Sequence, residues 1–119
     1  MEYQNDYVLR LIEQMGSLIR LAFERFRTGE SNGRAFELTN ETIELAVDMD
    51  PELFVRLSPQ SMVSFLDLGE YDERVVEKLA EALDLQAELF ESEGSLIEAG
   101  VRRSQSAAVL ASLDPSHAN

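Results

Sequence analysis

Apolar side chains recur at helical spacing along most of the chain. Between Asp6 and Arg27, the residues Val8, Ile12, Met15, Ile19, Ala22 and Phe26 follow one another at steps of three and four. Leu11, Leu18 and Phe23 widen that stripe beyond about 100° of the helix surface. Asp6, Arg10, Glu13, Ser17, Arg20, Glu24 and Arg27 occupy the other face and mix both signs. The pattern predicts one long amphipathic helix, capped by Asn5 or Asp6 and carrying Arg25 and Arg27 in its last turn. The run Thr28-Gly29-Glu30-Ser31-Asn32-Gly33 stops it. Such a helix is marginal alone in water, so its stripe requires a partner surface. That surface is the core of the domain or half of a dimer seam. Core is the expected role, with some spill into an interface.

Shorter periodic segments follow. Arg34 to Met49 is helical in pattern, with a start signal at Thr39 or Asn40. Whether Gly33 to Leu38 is a turn or part of the same helix stays open. Asp50-Pro51 caps and restarts the chain into a short helix over Pro51 to Leu57. Ser58-Pro59 repeats the device for Pro59 to Leu68, and Gly69 ends it. Asp72 caps a second long helix over Glu73 to Glu93, which Gly94-Ser95 breaks. A last helix spans Leu96 to Leu113, with Arg102-Arg103-Ser104-Gln105-Ser106 interrupting its apolar pattern. Asp114-Pro115 ends structure, and a frayed tail is expected over 115–119. No segment alternates in the manner of a strand. The expected fold is therefore all-α. Stacked antiparallel helix pairs, two long helices with shorter ones between, form a single domain over 1–114.

Charge narrows the partners. The chain holds 23 acidic and 10 basic residues, for a formal net charge of −13. Such a surface repels phosphate backbones, so no nucleic acid is expected as a partner. A long terminal amphipathic helix invites a membrane-surface reading. Its mixed polar face and the acidic chain oppose one, because anionic lipid would repel them. No apolar run approaches the roughly 18 residues of a membrane span. The opening MEYQND is polar and acidic, unlike a secretory leader. Cysteine is absent, which removes disulfides and thiolate metal sites and is compatible with the cytoplasm, the expected location.

Two stretches resemble known families. Leu68-Gly69-Glu70-Tyr71-Asp72-Glu73, followed by Ala82-Leu83-Asp84-Leu85, resembles the middle of a tetratricopeptide repeat. In that family a Gly-x-Tyr joint connects two helices, and the resemblance implies that Tyr71 packs between them. Ala82-Leu83 comes one residue late, and Pro59 falls inside the preceding helix, where the family's tryptophan and small-residue pattern is missing. The opening Asp6-Tyr7-Val8-Leu9-Arg10-Leu11-Ile12-Glu13-Gln14-Met15 resembles the start of a family of small, helical, TPR-like bacterial proteins of unassigned function. It implies a TPR-like helical bundle and no activity.

Candidate chemistry is sparse. The single histidine, His117, lies two residues before Asn119, where a general base has no fixed position. No catalytic, cofactor or metal residues are therefore assigned, and no enzyme is expected. Glu77, Glu81, Asp84 and Glu88 share one helical face. Facing Glu41, Glu44 and Asp48 across a groove, they would offer a hard cation oxygen ligands, although a solvated acidic face is the leading reading. Arg102-Arg103 is expected to pair with Glu98 or a neighbouring helix, and an acidic ligand is the alternative. Tyr3, Phe36, Phe65 and Tyr71 are read as core aromatics that could also line an inter-helix groove. The function expected is a helical protein-interaction or self-association module, with a homodimer through the first helix or a protein or peptide partner. A small-ligand or cation-binding protein using an acidic groove is the alternative.

Overall fold

The helical periodicity is realised in six helices among the described residues. The computed structural model describes residues 2–29 and 32–113, with side chains from Asn5 onward. In order these are α1 (Glu2–Thr28), α2 (Asn32–Val47), α3 (Pro51–Phe54), α4 (Pro59–Leu68), α5 (Glu73–Ser92) and α6 (Leu96–Ala111). There is no strand among the described residues. The expected C-terminal stop at Asp114-Pro115, the tail 115–119 and His117 lie outside them, as does the Tyr3 side chain.

Local signals account for most boundaries. The Asp50 carboxylate accepts from the Glu52 N–H at 2.9 Å, and Pro51 opens α3. Ser58 Oγ accepts from the Ser61 N–H at 3.1 Å ahead of Pro59. Asp72 accepts from the Arg74 N–H at 2.8 Å at the start of α5. Gly94 takes φ +82° beyond the end of α5, a conformation that side chains resist.

Other boundaries differ from expectation. α1 begins at Glu2, so Asn5 and Asp6 sit inside it and cap nothing. α2 runs unbroken from Asn32, which settles Gly33 to Leu38 as helix. Thr39 is not a cap. Its hydroxyl donates back to the Phe36 carbonyl at 2.7 Å, satisfying itself within the helix. α3 stops at Phe54, before Leu57. Gly69 ends α4 at an ordinary φ of −82°, and Glu70 takes the left-handed value of +52°. Glycine is required at 69 for space, because a Cβ there would press into the Tyr71 ring, 2.8 Å from its Cδ1.

Two helical hairpins build the molecule. α1 and α2 pack antiparallel across the short 29–31 connection, and α5 and α6 across 93–95. α2 and α5 lie side by side and antiparallel. Asn32 donates to Ser92, the Phe36 and Phe90 rings meet edge-on at 5.1 Å, and Tyr71 reaches the Val47 carbonyl. α4 packs against α6. One buried cluster joins Met15, Ile43, Phe54, Met62, Leu79 and Leu83 with their neighbours. A second joins Ala22, Ala35, Leu38, Leu85 and Leu89. α5 contributes to both clusters and is the central helix. The radius of gyration is 14.2 Å, close to the roughly 13.5 Å of a compact chain this long.

The first helix is only partly consumed by this core. Met15 and Ala22 are fully buried, and Val8, Leu11, Ile12, Leu18 and Phe26 are partly so. Phe23 was expected in the stripe. It is instead exposed, with the Arg27 guanidinium 6.0 Å from its ring. α6 buries Ala99 and Val109, but at other positions the apolar and polar roles are exchanged. Ile97 and Leu96 are 83% and 68% exposed, whereas Gln105 and Ser106 are buried. Gln105 donates to the Val55 and Leu57 carbonyls, and Ser106 to the Ala80 carbonyl. The polar run at 102–106, which breaks the apolar pattern, is part of the buried surface of the helix at Gln105 and Ser106. Arg102, Gln105 and Ser106 turn inward and tie α6 to the α3–α4 connection and to α5, while Arg103 and Ser104 stay exposed.

Candidate functional site

A concavity with an apolar floor lies between the N-terminal half of α1 and the C-terminal half of α2. Antiparallel packing brings those halves together. The groove has a volume of about 980 Å³. Tyr7, Leu11 and Leu18 from α1 and Leu45 from α2 form its apolar surface, with Tyr71 at one end. Tyr7 is 61% exposed and Leu45 38%, so this surface faces water. Glu41, Glu44 and Asp48 form the α2 wall, Asp72 stands at the end, and Arg10 is the cation among its lining residues.

Tyr71 fixes the closed end. Its ring lies over Gly69, 5.9 Å from the Phe65 ring, and its hydroxyl donates to the Val47 carbonyl at 3.4 Å. Burial, and then the charge of Asp48, hold that hydroxyl above the ordinary tyrosine value. Phe36 and Phe65 have core roles, against Phe90 and Phe54 respectively.

Asp72 is anchored as well as acidic. Its carboxylate takes two bonds from the Arg74 guanidinium at 3.0 Å in addition to the Arg74 N–H. Those hydrogen bonds hold its pKa below the usual carboxylate range against a smaller opposing effect of burial. A carboxylate with a depressed folded pKa stabilises the fold above the ordinary range, and that contribution disappears as pH falls through the depressed value. Asp72→Ala should therefore lower stability by about 1 kcal/mol at neutral pH. The gap to wild type should close below about pH 4. Urea unfolding at both pH values checks this, and a gap that persists in acid would remove the charge from the explanation.

The two acidic sets do not face each other across a groove, the arrangement that the alternative cation-binding reading requires. Glu41, Glu44 and Asp48 line the α1–α2 groove. Glu77, Glu81 and Asp84 line a separate depression of about 470 Å³, with Ile12 of α1 and Leu110 of α6 at its edges. Glu88 lines neither depression. The reason is rotational: α5 buries its α2-facing side, including Leu79, Leu83 and Gln86, and its carboxylates emerge on the far side. Among the described residues no three acidic or histidine side chains converge in a way that would hold a metal ion.

The arginine pair is divided by the structure. Arg103 pairs with Glu91 of α5 at 2.7 Å. Arg102 turns inward, donating through Nε to Gln86 Oε1 at 2.8 Å, with its guanidinium 5.5 Å from the Phe90 ring centre. Burial pushes its pKa below the usual arginine value, and the charge of Glu98 offsets part of that. Gln86, fully buried, also donates to Thr39 Oγ1 at 3.0 Å and to Asn40 Oδ1 at 2.8 Å. This polar chain links α2, α5 and α6. The sequence hides it, because Gln86 stands among apolar residues of α5 with no local partner.

No protein-family model, curated protein or solved structure matches the chain. No helix among the described residues is long and apolar enough to cross a membrane.

Proposed function

We propose that the protein is a non-enzymatic, helical protein-interaction module that holds a partner segment in the α1–α2 groove. One observation carries this reading. The groove carries the exposed Tyr7 and Leu45 and the partly buried Leu18 along one strip lined by Glu41, Glu44 and Asp48, an apolar surface with an acidic edge. The non-enzymatic part rests on the sequence, whose one histidine is His117 and which has no cysteine. The absence of cysteine is compatible with a cytoplasmic location, which belongs to the proposal. A TPR-like kinship belongs to the proposal at one joint, where Tyr71 lies over Gly69 beside Phe65. The neighbouring helices depart from that pattern, since α4 makes its main helix contact with α6.

The test is selection from a helical-peptide library of mixed charge, followed by amide-resonance mapping of the selected peptides on the protein. The expected result is shifts at Tyr7, Leu18 and Leu45. Leu45→Asp, at an exposed position, should weaken binding about tenfold or more while leaving the thermal transition in place. Peptides that map elsewhere, or that ignore Leu45→Asp, would overturn the reading. A homodimer through α1 is the competing form. It would appear as a doubled mass in light scattering, with the same amides shifting on dilution.

A further inference from the structure

We infer that the occupant of the groove is a basic amphipathic helix of another protein, an inference that rests on the interaction reading above. The floor is built for a helix. Tyr7, Leu11 and Leu18 stand at steps of four and seven on one face of α1, a strip about 16 Å long at 1.5 Å per residue. That length accommodates apolar anchors at i, i+3 or i+4, and i+7 of a guest helix. A guest that binds by strand addition would need a free sheet edge, and there is no strand among the described residues.

The wall sets the guest's charge. Glu41 and Glu44 stand three residues apart on α2, Asp48 follows just past its end, and all three line the groove as an acidic row beside the floor. Glu41 lies 4.0 Å from Arg34. Glu44 and Asp48 pair with no cation among the described residues, which leaves two carboxylates facing the groove uncompensated. Lys or Arg at i, i+3 or i+4, and i+7 on the guest's α2-facing edge matches that row. Arg10, on the opposite wall, favours a neutral or acidic residue there. A second copy of this chain is a poor match, because each copy carries a formal net charge of −13.

Three synthetic helices test this. All carry Leu at the same anchor positions, and their remaining positions are rich in Lys, Gln or Glu. The Lys helix should shift the amides of Tyr7, Leu11 and Leu45. It should bind about tenfold more tightly than the Gln helix at low salt and lose that advantage at high salt. The combined variant Glu41→Gln, Glu44→Gln, Asp48→Asn should weaken the Lys helix about tenfold and leave the Gln helix unchanged. Asn is chosen at 48 because this residue takes φ +54°, which Asn tolerates. Glu44→Gln alone should move affinity the same way by about threefold, guarding against misfolding of the combined variant. The α5 variant Glu77→Gln, Glu81→Gln, Asp84→Asn is the control and should change nothing. An equal loss in that control would mean bulk charge attraction and would overturn the inference. Equal or tighter groove binding by the Gln or Glu helix would overturn it while leaving the interaction reading intact. Failure of every helix and every library peptide to reach the groove would remove both. Dilution shifts at the same amides would identify a second copy as the occupant and overturn the inference.

Discussion

Leu79→Ala should lower the unfolding free energy by about 3 kcal/mol, one of the two largest losses expected here. Leu79 is 0% exposed and sits on the buried side of α5, in the cluster that unites Met15, Ile43, Phe54 and Met62. Truncation removes its transfer free energy and leaves a cavity between helices that are held by neighbouring contacts and cannot close over it. The midpoint of thermal unfolding should fall by about 10 °C. Ile12→Ala gives the internal comparison. Ile12 belongs to the stripe of α1, but it is partly exposed at the edge of the depression beside Glu77 and Glu81. Its truncation should cost about half as much, because water already reaches part of the side chain. Urea unfolding followed by circular dichroism measures both. A Leu79→Ala loss below about 1 kcal/mol would show that this cluster is not the core.

Gln86→Leu should cost about 2–4 kcal/mol even though it makes the helix face more apolar. The substitution removes three hydrogen bonds at once, to Thr39, Asn40 and Arg102. Thr39 still has the Phe36 carbonyl. Arg102 fares worst, because its half-buried guanidinium loses the Gln86 acceptor and keeps chiefly the Phe90 ring and the charge of Glu98. A stranded charge is more costly than a stranded neutral group. Adding Arg102→Met should therefore recover part of the loss, giving a double variant more stable than Gln86→Leu alone. A double-variant cycle measures that coupling directly. Strict additivity would mean that the polar chain across α2, α5 and α6 does not act as a unit.

Much of the secondary structure is legible in particular residues. Asp50-Pro51, Ser58-Pro59 and Asp72 mark helix starts because a carboxylate or hydroxyl there bonds an amide two or three residues ahead. Those interactions close within one turn, so nothing distant alters them. Asn5, Asp6, Thr39 and Asn40 carry the same residue types and cap nothing. In each case the helix extends past them toward the N-terminus. Thr39 and Asn40 instead serve Gln86, 47 and 46 residues away, a partnership with no local trace.

The site is less legible than the helices. Glu41, Glu44 and Asp48 stand out in the sequence as one acidic face, and so do Glu77, Glu81 and Asp84. Their spacing determines that each set shares a face and leaves open which faces meet. Rotation of α5 about its axis, decided by burial of Leu79, Leu83 and Gln86, sends its carboxylates away from α2. The exposed Ile97 and the buried Gln105 make the same point for α6, where average hydrophobicity favours the opposite arrangement.

By itself the sequence determined an all-helical chain, three of its caps, its acidity and the long apolar stripe of α1. Each follows from composition or from periodicity within a few turns. Only the tertiary structure decided that α2 is one helix, that Arg102, Gln105 and Ser106 turn inward, and that the open apolar groove lies between α1 and α2. Those outcomes depend on which faces pack. Packing is selected by the joint burial of residues far apart in the chain, such as Met15 with Leu79 and Thr39 with Gln86.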